Sequence, residues 1–135
     1  MSYNFKFEDK NFTLSQENCE GIFFEDNEIK GISLENILST LNDSDSVDFS
    51  KEYYTGKCEC NKQECINKSY CYLEYHFYIY TKNSEYIINT LCKEYENTSF
   101  NKLFSKGEID DSYIVEVTVC PCCATYSIDI SQCEV

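Results

Sequence analysis

The sequence has no arginine and no tryptophan, and only one proline, one histidine and four glycines among 135 residues. Each scarcity removes a class of function. Without arginine the bidentate fork that clamps phosphate and reads guanine is missing, and 24 acidic residues against 11 lysines leave a net charge of −13. That balance argues against nucleic acid and against an anionic membrane surface, since each requires a basic footprint. Acidity with a use beyond solubility points instead to a basic protein partner or a cationic ligand. Four glycines supply no glycine-rich phosphate loop and no dinucleotide fingerprint. No apolar run approaches the roughly 20 residues a membrane-spanning helix requires. The N-terminus has no basic start followed by an apolar stretch, so no secretory signal is read and a cytoplasmic location is expected.

What is abundant is cysteine: ten residues in 135. In a reducing compartment such a count favours metal binding or thiol chemistry over structural disulfides. The charge is also unevenly placed. Residues 1–50 carry 11 acids and three lysines, whereas residues 51–75, the cysteine-rich centre, carry four of each. Many Asn, Ile, Lys and Tyr residues look like the codon bias of an AT-rich, bacterial genome.

Hydrophobic periodicity predicts short strands over residues 3–7, 12–14 and 21–24. A helix follows, capped by Ser33, with Leu34, Ile37, Leu38 and Leu41 on one face and an end near Asn42. Residues 70–81 form the clearest strand, with Cys71, Leu73, Tyr75, Phe77 and Ile79 facing the core. Tyr70, Tyr72, Tyr78 and Tyr80 lie on its other face, which is expected to be covered by a helix. Asn83 or Ser84 reads as the cap of a second helix, because Ile87, Ile88, Leu91, Cys92 and Tyr95 have helical spacing. Phe100, Leu103 and Phe104 suggest a further turn or two closed by Gly107. Val115, Val117 and Val119, then Tyr126, Ile128 and Ile130, alternate with polar residues and read as two strands joined by the Cys-Pro-Cys-Cys-Ala turn. No repeat or linker divides the chain. The expectation is one small α+β domain over residues 1–135, an antiparallel sheet with two to three helices and a C-terminal β-hairpin bearing a zinc knuckle.

Cys120 and Cys123 have the Cys-x-x-Cys spacing of zinc ligands, and a tight turn between strands brings both sulfurs to one cation. Over Val119 to Tyr126 the pattern resembles the knuckle of zinc ribbons and rubredoxin-like domains, and the Cys-Pro-Cys-Cys run resembles small cysteine-rich bacterial proteins. Ala124 stands where a knuckle often has glycine, and there is no second Cys-Pro-x-Cys, so the resemblance implies only a ligand role for Cys120 and Cys123. A closed tetrahedral site needs two more sulfurs. Cys58 and Cys60 are the first choice, with Gly56 before them permitting a tight turn; Cys60 with Cys65 is second, and Cys71 is a further candidate. An iron–sulfur cluster fits the central spacing poorly. Cys92 reads as core, Cys19 and Cys133 as loop residues, and Cys122 as a spare thiol inside the knuckle.

Other chemistry finds little support. His76 would have to be the base of any cysteine-nucleophile reaction, and a surface role or a place in a Cys3His site suits it better. The calcium-like stretches Asp26 to Gly31 and Asp43 to Asp45 lack the required ligands or glycine. The sequence thus favours a non-enzymatic, zinc-stabilised interaction module. The alternative is a thiol-based redox or metal-handling protein that uses spare cysteines such as Cys122.

Overall fold

The computed structural model describes residues 1–133. Strands β1 (Tyr3–Phe7) and β2 (Lys10–Leu14) form a separate hairpin. The main sheet contains β3 (Cys19–Phe24), β4 (Ser50–Tyr54), β5 (Cys65–Ile66), β6 (Ser69–Lys82), β7 (Glu85–Asn89), β8 (Asp111–Val119) and β9 (Tyr126–Gln132). Its order is β3-β9-β8-β6-β4, with β5 and β7 also pairing to β6. The 14-residue β6 organises the sheet: β8 lies along one edge, and β4 and β7 share the other.

The expected α+β antiparallel architecture is overturned. Among the described residues strand accounts for 44% and helix for 16%, and β3 runs parallel to β9, which makes the sheet mixed. Helix α1 (Leu34–Asn42) is the one substantial helix, and α2 (Phe100–Ser105) is short. Of the segment expected as a second helix, the first part is β7 and Lys93–Tyr95 is a single 3-10 turn. Asn83 and Ser84 both take left-handed conformations (φ 52° and 62°) between Lys82 and its register partner Glu85. That is the geometry of a two-residue type I′ hairpin turn, whose twist matches that of the strands it joins. A helix cap at either residue would need an extended backbone instead.

α1 forms where its pattern places it. The Ser33 hydroxyl accepts the Asn36 amide at 3.2 Å, and Ile37, Leu38 and Leu41 are buried. They pack with Tyr3, Phe12 and Leu14 of the hairpin against the inner sheet face of Leu73, Phe77, Ile79, Val115, Val117, Val119, Ile128 and Ile130. The outer face is left mostly open. Tyr80 at its far end is buried there, in a satellite cluster with Leu103 of α2 and Ile109, as is its register partner Ser112; Tyr70 and Tyr72 are half-buried and Tyr78 is exposed. The expected helical cover is therefore confined to one end.

Candidate metal centre

Two loops meet at the end of the sheet where β8 turns into β9. The first, residues 120–125, is closed by the Cys120 amide donating to the Thr125 carbonyl and the Ala124 amide donating to the Cys120 carbonyl, both at 2.9 Å. Ala124 adopts φ +64° to close it, a conformation that glycine takes without steric cost. Elements from the N-terminus brace this knuckle. The Asn18 side chain donates to the Ala124 carbonyl at 2.8 Å, and the Lys10 ammonium donates to the Pro121 carbonyl at 2.6 Å.

The second loop lies between β4 and β5. The Asn61 amide donates to the Cys58 carbonyl at 3.1 Å, with Asn61 left-handed at φ 57°. Gln63 straps the loop to the sheet: its carbonyl oxygen accepts the Cys58 amide at 2.6 Å, and its amide donates to the Cys71 carbonyl at 2.7 Å. The Tyr72 phenol donates to the Gly56 carbonyl at 3.0 Å. Gly56 itself has an ordinary φ and open space around it, so the turn does not depend on glycine there.

These loops bring Cys58, Cys60, Cys120 and Cys123 together, with the four sulfurs within 4.8 Å of one another. Cys58 Sγ lies 3.6 Å from Cys123 Sγ, and Cys60 Sγ lies 3.7 Å from Cys120 Sγ. A tetrahedral ion with metal–sulfur bonds of about 2.3 Å places its sulfurs roughly 3.8 Å apart. The pairs thus have the spacing of co-ligands, and four cysteines so arranged could hold a metal ion.

The clustered thiols differ in how readily they ionise. Burial pushes the Cys120 and Cys58 thiols up. Burial also opposes ionisation of Cys123, but hydrogen bonds from the Thr125 hydroxyl and amide, and from the neighbouring thiols, outweigh it and lower Cys123 to about 6. One thiolate is therefore easily accommodated. A cluster this tight resists further ionisation by like-charge repulsion, and a divalent cation is what allows all four sulfurs to be thiolates at once. The Thr125 hydroxyl, 3.0 Å from Cys123 Sγ and 3.8 Å from Cys58 Sγ, is placed to donate to a sulfur of the cluster. Spacing arguments could not have found Thr125 or Gln63, because each acts through a contact that only the assembled loops create.

The other candidates fall outside the cluster. Cys71 is buried on the core-facing parity of β6 and Cys65 is exposed on β5. Cys122 is exposed and directs its thiol to the Lys62 carbonyl at 3.1 Å. Cys92 sits in the loop after β7, its thiol 3.2 Å from the Asn89 carbonyl. Cys19 opens β3 and so is not a loop residue, and Cys133 follows β9. His76 is exposed in the middle of β6 with its ring edge-on to Tyr78.

Fold and site together define a small, mostly β, cysteine-rich protein with a four-cysteine cluster able to take one metal ion. Residues 3–135 match the family described as protein of unknown function (DUF3785), and the chain belongs to that family. No curated protein and no solved structure matches it. The family match is to no zinc-ribbon family. Among the described residues no helix is long and apolar enough to cross a membrane.

Proposed function

We propose that Cys58, Cys60, Cys120 and Cys123 form a closed structural zinc site, and that the chain is a non-enzymatic, cytoplasmic interaction module with a basic protein partner. One observation carries the zinc reading: two pairs of sulfurs, each drawn from loops 60 or more residues apart, sit 3.6 and 3.7 Å from their counterparts. Four thiolates around zinc leave no open position for a substrate or an activated water, which is the arrangement of structural rather than catalytic sites. Zinc suits an all-thiolate tetrahedron, and a reducing compartment keeps such ligands available. The redox alternative would use Cys122, an exposed thiol inside the knuckle that lies outside the four-cysteine cluster and contacts the Lys62 carbonyl.

A structural zinc contributes roughly 10–16 kcal/mol of apparent binding energy, comparable with the whole stability of a domain. Elemental mass spectrometry on protein purified without a histidine tag should find one zinc per chain, and chelation should abolish the cooperative melting transition. Alkylation of the native protein should label Cys65 and Cys122 well before the four cluster cysteines. A metal-free protein whose melt ignores chelator would overturn the site, and one fast-reacting cluster thiol would favour redox chemistry.

A further inference from the structure

The open face of the sheet carries an arrangement that stability alone does not account for. Glu116 of β8 and Asp129 of β9 are direct register partners, and His76 of β6 stands opposite Glu116 on its other side. Like charges directly opposite one another destabilise a strand pair. Here they occupy half-buried positions at the centre of the sheet, where burial and the mutual repulsion of Glu116 with Glu74 and Asp129 push the Glu116 carboxyl upward. The ion pairs among the described residues are Lys6–Asp9 and Lys51–Glu8, neither of which reaches this face.

The carboxylates line an open groove of about 1080 Å³ that runs along the outer face to the metal loops. Tyr54 and Tyr72, edge-to-face with centroids 5.9 Å apart, form part of its wall. The Tyr54 phenol donates to the Glu74 carboxylate. Lys57 is the one cationic side chain lining it. Aromatic walls take the aliphatic stem and the ammonium of lysine, or a stacked guanidinium, while carboxylates take its charge. Its lining is drawn from β4, β6, β8 and β9 as well as the two cysteine loops, and an open surface shared by several strands suits an extended segment better than a small molecule, which needs a concave site that buries most of it.

We propose that this outer sheet face is a docking surface for an extended, lysine- or arginine-bearing segment of a basic protein, with Glu116 and Asp129 as the central charge contacts and the tyrosines holding the side-chain stems. The proposal rests on the interaction-module reading above and gives it a location. The chain's net charge of −13 would steer such a partner from any direction, but the groove is where its cationic side chains find carboxylates already crowded together.

The test uses the full chain as purified, without added metal, and a fluorescein-labelled nonapeptide with lysine at alternate positions and serine between, at about 0.15 M salt, where distant charges are screened. Fluorescence polarisation should show saturable 1:1 binding, weakened tenfold or more by the double substitution E116Q/D129N. The control E28Q/D45N removes the same charge from exposed loop positions and should change affinity less than twofold. Equal losses in the two variants would mean diffuse electrostatics and overturn the proposal, as would the absence of saturable binding. Calcium binding abolished by E116Q/D129N without any peptide binding would make the face a cation site instead. A melt of each variant verifies folding, and either single substitution replaces the double one if it fails to melt cooperatively. Metal content on the same samples separates the two readings: bound peptide without zinc sinks only the metal site, and zinc without bound peptide sinks only the docking surface.

Discussion

Ala124 is the residue that most directly records a local conflict between sequence and backbone. Its φ of +64° costs a non-glycine residue about 1–2 kcal/mol, and the cost is tolerated because the knuckle hydrogen bonds and the Asn18 contact hold the turn closed. Ala124→Gly should raise stability by about 0.5–1 kcal/mol, the relieved strain less the extra freedom of glycine in the unfolded chain; chemical denaturation with metal bound checks it. The four cysteines that the fold brings together were legible at this scale because spacing is a local property. Cys120 and Cys123 stand three apart between two alternating strands, and the central cluster offered few pairs. What separates Cys58 and Cys60 from Cys65 and Cys71 is strand parity and loop path, which place Cys71 in the core and Cys65 on β5.

At the scale of elements, alternation identified β6, β8 and β9, and the capping pattern identified α1, because each carries its burial pattern in its own residues. β7 failed that test. Its apolar positions fit a helical period as well as a strand, and the Asn-Ser turn that decides between them is less recognisable than Asn-Gly. β4 has no alternation to read, since all five of its residues are exposed. The pairing of β3 with β9 joins opposite ends of the chain, and no local pattern specifies it. The register of β8 with β9 has an energetic consequence. Glu116 keeps its proton to higher pH in the folded state than in the unfolded one, chiefly through burial and then through Glu74 and Asp129. Its contribution is therefore most favourable below the unfolded-state value and is lost as pH rises through the folded value. Glu116→Gln should gain roughly 0.5 kcal/mol at pH 7, a figure already reduced for solvent screening. The gain should vanish at pH 4, as measured by urea unfolding at both.

For the whole molecule, the open question is how much of the stability depends on the two loops at one end. The inner face is a continuous apolar core, yet a structural metal contributes energy on the scale of the entire domain. Cys60→Ser should cost several kcal/mol and abolish zinc uptake, whereas Cys65→Ser, an exposed thiol outside the cluster, should stay within about 0.5 kcal/mol and keep its zinc. Denaturant titration with parallel metal analysis distinguishes them, and similar effects for both would remove Cys60 from the ligand set.

The contact between Cys60 and Cys120 also closes a ring. Sixty positions separate the two residues along the chain, and β5, β6, β7, α2 and β8 all lie between them. A crosslink around a loop of that length removes about 4 kcal/mol of chain entropy from the unfolded ensemble. An ion bound by both loops before the sheet forms would turn the distant pairing of β6 with β8 into a search inside a tethered circle. Zinc would then act on the order of assembly as well as on its endpoint.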